Sequence, residues 1–360
     1  MTRVMVAMSG GVDSSVAALE LKNRGLEVIG ATIKTWPKEE CGATGDKLCC
    51  SLEGVQYARS VAEDLDIPYY VINLSKEFAS EVTGYFIEEY ARGRTPNPCI
   101  YCNSRIKFGY LYKRALAVGA ERIATGHYAR IIQNDGRYFL AEGKDKNKDQ
   151  SYFLYDISRD TLPFVDFPLG DYTKDDVRDI ALEHGFMTAR RAESQDICFA
   201  SAEGDYRGYL MKSGLEGFSP GNILDEDGRV VGEHEGIAFY TIGQRRGLGV
   251  AMGEPVFVLK IDPSENTITV GSRDRSMRNK IRVSGLNWLI DRPEAEGAAE
   301  FLTKIRYASV KAPALVTPHG DDEVIVEFKE PQFAPTPGQA AVFYDGEIVA
   351  GGGWIEEVLS

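Results

Sequence analysis

Apolar and polar positions alternate in two different rhythms along this chain. "RVMVAM" (3–8) is a short continuous apolar run, as a strand buried on both faces requires. "SSVAALELKNRG" reads as a helix stopped at Gly25, and "EVIGATIK" as a second strand. Ser51 is placed to cap a helix with apolar positions Val55, Ala58, Val61, Ala62 and Leu65, closed by Pro68. "YYVINL" is a third strand, helical spacing runs through 75–91 and 104–118, and "RIATG" is a fourth strand. Strands alternating with helices predict a doubly wound parallel sheet, with ligands beyond the C-terminal strand ends. "GKDKNKDQSY" (143–152) is a polar loop. "DYTKDDVRDIALEHG" is a helix with Thr173 and Asp176 at its start and Gly185 at its stop.

The rhythm changes near Ala200. "RVVGEHEGIAFYTIGQRRGLG", "PVFVLKIDPSENTITVGS", "DEVIVEFKEP" and "AVFYDGEIVAGGGWIEEV" are short alternating runs split by turns, with Asp345-Gly346 as a hairpin signal. An all-β remainder of this length holds one small β module and one barrel or sandwich. The expected domains are 1–200 (α/β), 201–280 (small, β-rich) and 281–360 (barrel or sandwich). The border near 280 falls inside a basic run.

At 360 residues, more than one domain is expected. "MTRVMVAM" is too short for a signal-peptide core, and no window nears the ~18 apolar residues of a membrane span, so a cytoplasmic protein without membrane contact is expected. Six cysteines in such a chain are not a disulfide framework. All lie in the first 200 residues. Cys41, Cys49 and Cys50 fit no standard zinc spacing and read as loop or buried cysteines without a shared role. Cys99 and Cys102, two residues apart after two prolines in "TPNPCIYCN", read as a pair of thiols on a turn.

Net charge is −13, yet 91–119 carries six Lys/Arg (Arg92, Arg94, Arg105, Lys107, Lys113, Arg114) and no acid, and "RDRSMRNKIR" (273–282) has five against one Asp. Most such runs are solvated faces. An acidic body with local basic islands also fits RNA held at defined places.

"SGGVDSS" (9–15) follows the first strand and opens the first helix. Adjacent glycines let the backbone approach an anion, the helix N-terminus offers N–H groups, and Ser9, Ser14 and Ser15 add hydroxyls. It lacks the Gly-Lys-Ser/Thr ending of a Walker loop and the third glycine of a dinucleotide fingerprint. The motif resembles the PP-loop of the ATP pyrophosphatases, which implies adenylation of a substrate oxygen with release of pyrophosphate, and Asp13 helping to hold Mg²⁺. The resemblance deepens over "MSGGVDSSV", "RTPNPCIYCNSRIKFG", "ATGHYAR", "KDKNKDQSYFL", "ESQDICF", "YTIGQRRGLG" and "KIRYAS". Their order and spacing are similar to those of the bacterial tRNA-specific 2-thiouridylase family over essentially the whole chain.

That resemblance implies a PP-loop α/β domain (adenine nucleotide alpha hydrolase-like), a small central domain and a C-terminal β-barrel. It implies formation of 2-thiouridine at the wobble position, U34, of tRNAs for Lys, Glu and Gln by a monomer served by a sulfur-relay donor protein. Ala7, Met8, Ser9, Gly10, Gly11, Val12, Asp13 and Ser14 would bind the ATP phosphates, with Ile33 and Gly126 around adenine and ribose. Cys102 would be the nucleophile and Cys198 the persulfide carrier, the two closing a transient disulfide after transfer. Asn97, Pro98 and Cys99 would line the target base. His127, Lys148, Asp149, Gln150, Arg306, Tyr307 and Gln339 would contact tRNA. Many members carry Asp, a proposed general acid/base, where this chain has Cys99. Cys99, Cys102 and Cys198 could instead ligate three irons of a [4Fe–4S] cluster, as in related tRNA-thiolating enzymes. Both chemistries stay open here, beside two further readings: a PP-loop ligase of a small molecule, and a non-catalytic RNA-binding or redox/metal module.

Overall fold

A computed structural model describes residues 2–35, 52–191, 197–200, 206–214, 218–293 and 297–359. Cys41, Cys49, Cys50 and Ser51 lie outside the described residues. The chain forms two compact units. One is Met1–Thr83 and Cys99–Tyr206 with Glu347–Val349; the other is Gly84–Pro98, Arg207–Gly346 and Ala350–Ser360.

In chain order, β1 (Arg3–Ala7), α1 (Val12–Asn23), β2 (Glu27–Lys34), α2 (Leu52–Asp64) and β3 (Tyr69–Asn73) alternate as the pattern requires. Then come α3 (Ser75–Phe78), a π-helical stretch at 79–84, α4 (Tyr85–Ala91), α5 (Pro98–Tyr101), a second π-wound stretch Cys102–Leu111 and α6 (Tyr112–Ala117). β4 (Arg122–Thr125), the hairpin β5 (Ala129–Asn134) and β6 (Arg137–Glu142), β7 (Val165–Asp166) and α7 (Lys174–Glu183) follow in the first unit, whereas α4 belongs to the second. Its five-stranded sheet has the order β3-β2-β1-β4-β7, with every neighbouring pair parallel. β1 is central, and Val4, Met5 and Val6 are all buried, which is why its sequence is apolar on both faces. Val16, Leu19 and Leu21 of α1, Ala58 and Val61 of α2, and Val177 and Ala181 of α7 close the core. The Thr173–Asp176 capping box forms in full, and Gly185 takes the left-handed conformation (φ 69°) after α7.

The thiol pair does not sit on a turn. Helix begins at Pro98, six residues before the expected start, because proline is suited to a first helical position, where no N–H is needed.

In the second unit, α8 (Tyr206–Lys212) is a helix that the alternating pattern did not predict. β8 (Gly221–Leu224), β9 (Val230–His234), β10 (Phe257–Asp262) and β11 (Thr267–Gly271) form a small sheet ordered β10-β11-β8-β9. Ile223, Val258, Ile268 and Val270 pack there against Phe239 and Tyr240. β12 (Met277–Trp288), β13 (Ala299–Lys304), β14 (Ala312–Pro318), β15 (Glu323–Phe333), β16 (Ala340–Asp345) and β17 (Ile348–Val358) run as β12-β15-β14-β13-β16-β17 and close through β12 against β17. Closure removes the sheet edges, and Ile281, Val283, Phe301, Val326, Phe343 and Ile355 fill the interior. The hairpin expected at Asp345-Gly346 forms with Gly346 (φ 60°) as its first loop residue. No helix among the described residues is long and apolar enough to cross a membrane.

His234 is buried in the small sheet. Its Nδ1 accepts from Gly236 N (3.1 Å) and its Nε2 donates to Asn266 O (3.0 Å), a neutral Nε2–H ring. Burial holds its pKa below the ordinary imidazole value. A depressed imidazole contributes its stability in full above the unfolded value of about 6.5 and loses it as pH falls toward the folded value. The melting temperature of wild type should therefore drop more between pH 7.5 and pH 5 than that of His234→Asn; equal drops would remove His234 from the acid response.

Candidate active site

The phosphate-loop candidate follows β1, and Gly126 follows β4. These neighbouring strands flank the point where strand order reverses, the usual ligand crevice of such sheets. Gly10 takes φ 74°, and a Cβ there would lie 2.2 Å from Gly54 O in α2. Ser14 Oγ and Ser15 Oγ each donate to Gly11 O (3.0 Å), Ser9 N donates to Ser14 Oγ (3.2 Å), and Thr188 Oγ1 donates to Ser15 Oγ (3.1 Å). The hydroxyls read as phosphate donors thus also hold the loop's shape. Arg191 donates to Gly10 O (2.9 Å) and lies over the Tyr57 ring. A Cβ on Gly126 would fall 2.7 Å from Asp13 C and 2.8 Å from Ser14 N, so only glycine lets β4 approach the start of α1. Ile33 is half-buried near the end of β2.

Asp13 is engaged on both oxygens. Lys174 Nζ reaches Oδ1 (2.7 Å) and Oδ2 (2.9 Å), and Tyr128 OH donates to Oδ1 (2.8 Å). Lys174 is buried. Sequence reading passed over it, although a lysine opening a helix stands at the wrong end of the helix dipole and calls for a nearby anion.

Cys99 is exposed on α5, and Cys102 is half-buried where the π winding starts. Cys198 is half-buried beside Phe199, whose ring meets Phe78 edge-on at 6.0 Å. Behind Cys102, Asn103 Nδ2 donates to Phe153 O (3.0 Å) and its Oδ1 accepts from Lys107 Nζ (2.9 Å). Lys107 Nζ also lies 3.5 Å from His127 Nε2, and His127 Nδ1 is 2.6 Å from Thr125 Oγ1. Burial, with the Lys107 charge beside it, keeps His127 well below the ordinary imidazole value. An ammonium only donates, so Nε2 presents its lone pair and the neutral ring carries its proton on Nδ1, toward Thr125.

Several residues assigned to tRNA have partners inside their own unit. Asp149 is buried and accepts from Gly143 N (3.0 Å), Ser151 N (3.2 Å) and Ser151 Oγ (2.9 Å); burial nonetheless raises its pKa. Gln150 Oε1 accepts from Tyr128 N (3.0 Å). Arg306 donates to Ala334 O and to Thr336 Oγ1 (2.9 Å). Gln339 Nε2 donates to Thr95 O (2.8 Å), two residues before Asn97. Lys148 is half-buried, and Tyr307 is exposed with Lys304 5.5 Å from its ring centroid.

The basic islands differ. In 273–282, Lys280 pairs with Glu327, Arg282 with Glu323 and Glu357, and Arg275 with Glu226. In 91–119, Arg94 pairs with Glu89 and Glu356, while Arg105 and Lys113 lie over the rings of Tyr101 and Tyr110. On the helix after Cys102, Arg105 faces the Tyr101 ring and the Asp156 carboxylate, Lys113 the Tyr110 ring, and Lys107 meets Asn103 and His127. Among the described residues, no three Cys, His, Asp or Glu side chains gather as ligands of one ion. Cys99, Cys102 and Cys198, the alternative [4Fe–4S] ligands, are not part of such a group among the described residues.

Three family models match in sequence: a tRNA methyl transferase HUP domain over 2–202, a tRNA methyl transferase PRC-barrel domain over 212–272 and an aminomethyltransferase β-barrel domain over 278–355. The tRNA-specific 2-thiouridylase MnmA of Moorella thermoacetica is 51% identical over 98% of this chain and 99% of its own length. The proteins of the same name from Carboxydothermus hydrogenoformans and Geotalea uraniireducens are 47% and 46% identical, each over 99% of this chain and over 98% and 96% of their own lengths. The chain belongs to the tRNA-specific 2-thiouridylase family.

Proposed function

We propose that this protein is a tRNA-uridine 2-sulfurtransferase that forms 2-thiouridine at U34 of tRNAs for Lys, Glu and Gln, consuming ATP. The observation that carries the reading is the glycine loop at the end of β1, joined through Gly126 and His127 to the helix of Cys102, in a chain related over its full length to 2-thiouridylases. The uracil O2 attacks the α-phosphorus of ATP and pyrophosphate leaves. Residues Ala7 to Ser14 cradle the phosphates, with Ile33 and Gly126 beside the nucleoside. Asp13 is the loop's one carboxylate and would hold Mg²⁺ together with the substrate phosphates once the Lys174 ammonium, which engages both its oxygens, gives way to the ion. When bound, Mg²⁺ neutralises charge on those phosphates.

The persulfide on Cys198 then attacks C2 and AMP leaves. The Cys102 thiolate attacks the Cys198 sulfur, closing a disulfide and leaving the outer sulfur on C2; an external thiol reopens the disulfide. The sulfur arrives from a relay donor protein. Asn97, Pro98 and Cys99 face the target base. Lys148, Asp149, Gln150, Arg306, Tyr307 and Gln339 contact tRNA, and the bond from Gln339 to Thr95 O steadies the chain just before Asn97. With the division into 1–200, 201–280 and 281–360, the chemistry falls in the first part and the named RNA contacts in the first and the last.

The test supplies ATP, Mg²⁺, a persulfide donor and tRNA transcripts, and measures 2-thiouridine and pyrophosphate. Equal amounts of the two products are expected with U34, and neither with C34. Pyrophosphate release at the same rate without tRNA would replace this reading with a small-molecule ligase.

A further inference from the structure

Lys107 is a half-buried cation at a junction. Ala7, the last residue of β1, is the register partner of Thr125, the last residue of β4. The next residue, Gly126, packs against Asp13 and Ser14 of the phosphate loop, and the one after, His127, reaches Lys107. In the other direction, Lys107 is held by Asn103, the residue next to Cys102. The π winding of Cys102–Leu111 hydrogen-bonds residues five apart, so Lys107 stands one turn on from Cys102. The nucleotide loop and the thiol helix therefore meet through this ammonium, in the region where an adenylated uridine must lie between them.

Of its three N–H bonds, two are directed at Asn103 Oδ1 and His127 Nε2, and the third is left for a ligand among the described residues. His127 is committed on both ring nitrogens, and its ring is packed near Phe108 and Phe167. Its hydrogen-bonding capacity is spent inside the protein.

Resting on the adenylation reading above, we infer that Lys107 is a catalytic residue that binds the α-phosphoryl group as uracil O2 attacks and pyrophosphate departs. Asn103 and His127 are its positioning residues, and His127 acts on the reaction through Lys107 rather than through a direct hydrogen bond to tRNA. As O2 bonds to the α-phosphorus and the bond to the β-phosphate oxygen breaks, negative charge gathers on oxygens that a fixed ammonium stabilises without reorganising.

The test measures tRNA-dependent pyrophosphate release in single turnovers at saturating tRNA, with tRNA affinity measured separately. Lys107→Met should lower the rate by about 10²–10³-fold, the usual loss for one such donor. Its tRNA Kd should stay within about twofold. Lys107→Arg, which keeps the charge, should recover part of the rate. His127→Gln, which keeps an acceptor for the ammonium, should retain more rate than His127→Phe, again with unchanged Kd. Melting curves like wild type for Lys107→Arg and His127→Gln guard against a folding effect. Weaker tRNA binding with a normal saturated rate in the lysine and histidine variants would overturn the inference and make both residues RNA contacts. A normal rate and a normal Kd would overturn it too. If wild type itself released no pyrophosphate with tRNA, the adenylation reading would fall as well.

Discussion

Gly10→Ala should abolish tRNA-dependent pyrophosphate release and lower the melting temperature, whereas Gly11→Ala should keep the loop folded. Gly10 sits at φ 74°, which costs an alanine roughly 1–2 kcal/mol. Its new Cβ would also meet the main-chain oxygen of Gly54 at 2.2 Å, and a backbone oxygen inside a helix cannot swing aside as a side chain can. The loop or α2 must move. A shift of about 1 Å in groups that orient a reacting phosphate can lose 10²-fold in rate, and each misplaced donor can lose 10²–10³-fold. At Gly11 the added Cβ meets only Ser9 Oγ, at 3.4 Å, and φ is −93°, so neither strain nor overlap arises. Equal melting temperatures and equal pyrophosphate release for Gly10→Ala and wild type would contradict this account of the loop.

Local signals carried the first half of the fold. A strand buried on both faces, a helix with its capping box, and glycines stopping α1 and α7 are each written within a dozen residues. The hairpin of β5 and β6 was equally local and was passed over. Its loop, Asp135-Gly136, has φ 49° and 75°, the two positive values that favour Asp-Gly in a tight hairpin. The helix start at Pro98 was misread because two prolines suggest a turn, although a proline is also a good first helical residue. The alternating pattern left barrel or sandwich open, and the family resemblance supplied the barrel, because closure depends on β12 meeting β17, some seventy residues on.

The site divides in the same way. The glycine loop, Asp13 and the three cysteines stood out because their chemistry is local. Lys174 and Lys107 matter through partners 161 and 20 residues away, and nothing in their immediate neighbours announces those contacts. In the basic run at 273–282, Arg275, Lys280 and Arg282 meet glutamates that lie on other strands, or at Glu226, far along the chain. Charge read along a sequence misses ion pairs made across a sheet. For the run around Cys102, charge along the chain and charge in space agree better, with Arg105 and Lys113 set against aromatic rings.

Cys102→Ser and Cys198→Ser should each reduce 2-thiouridine to background while leaving tRNA-dependent pyrophosphate release in the first turnover. A serine hydroxyl cannot carry a persulfide or close a disulfide, but attack of uracil O2 on ATP involves no thiol, so the two half-reactions separate. Loss of pyrophosphate release together with thiolation would place the thiols in the first step and overturn the proposed order. Cys99 distinguishes the two sulfur chemistries. In the persulfide scheme it is at most a weak acid or base near the uracil, its free pKa being about 8.5. General acid–base assistance is typically worth about 10²–10⁴-fold, so Cys99→Ala should retain measurable thiolation and Cys99→Asp should raise it again. If the three cysteines instead ligate a cluster, anaerobically prepared protein should hold about four irons. Cys99→Ala, Cys102→Ser and Cys198→Ser should then lose iron and thiolation together. Iron near zero in an active wild type, with partial activity in Cys99→Ala, is the expected result. Activity that tracks iron across all three variants would overturn the persulfide scheme.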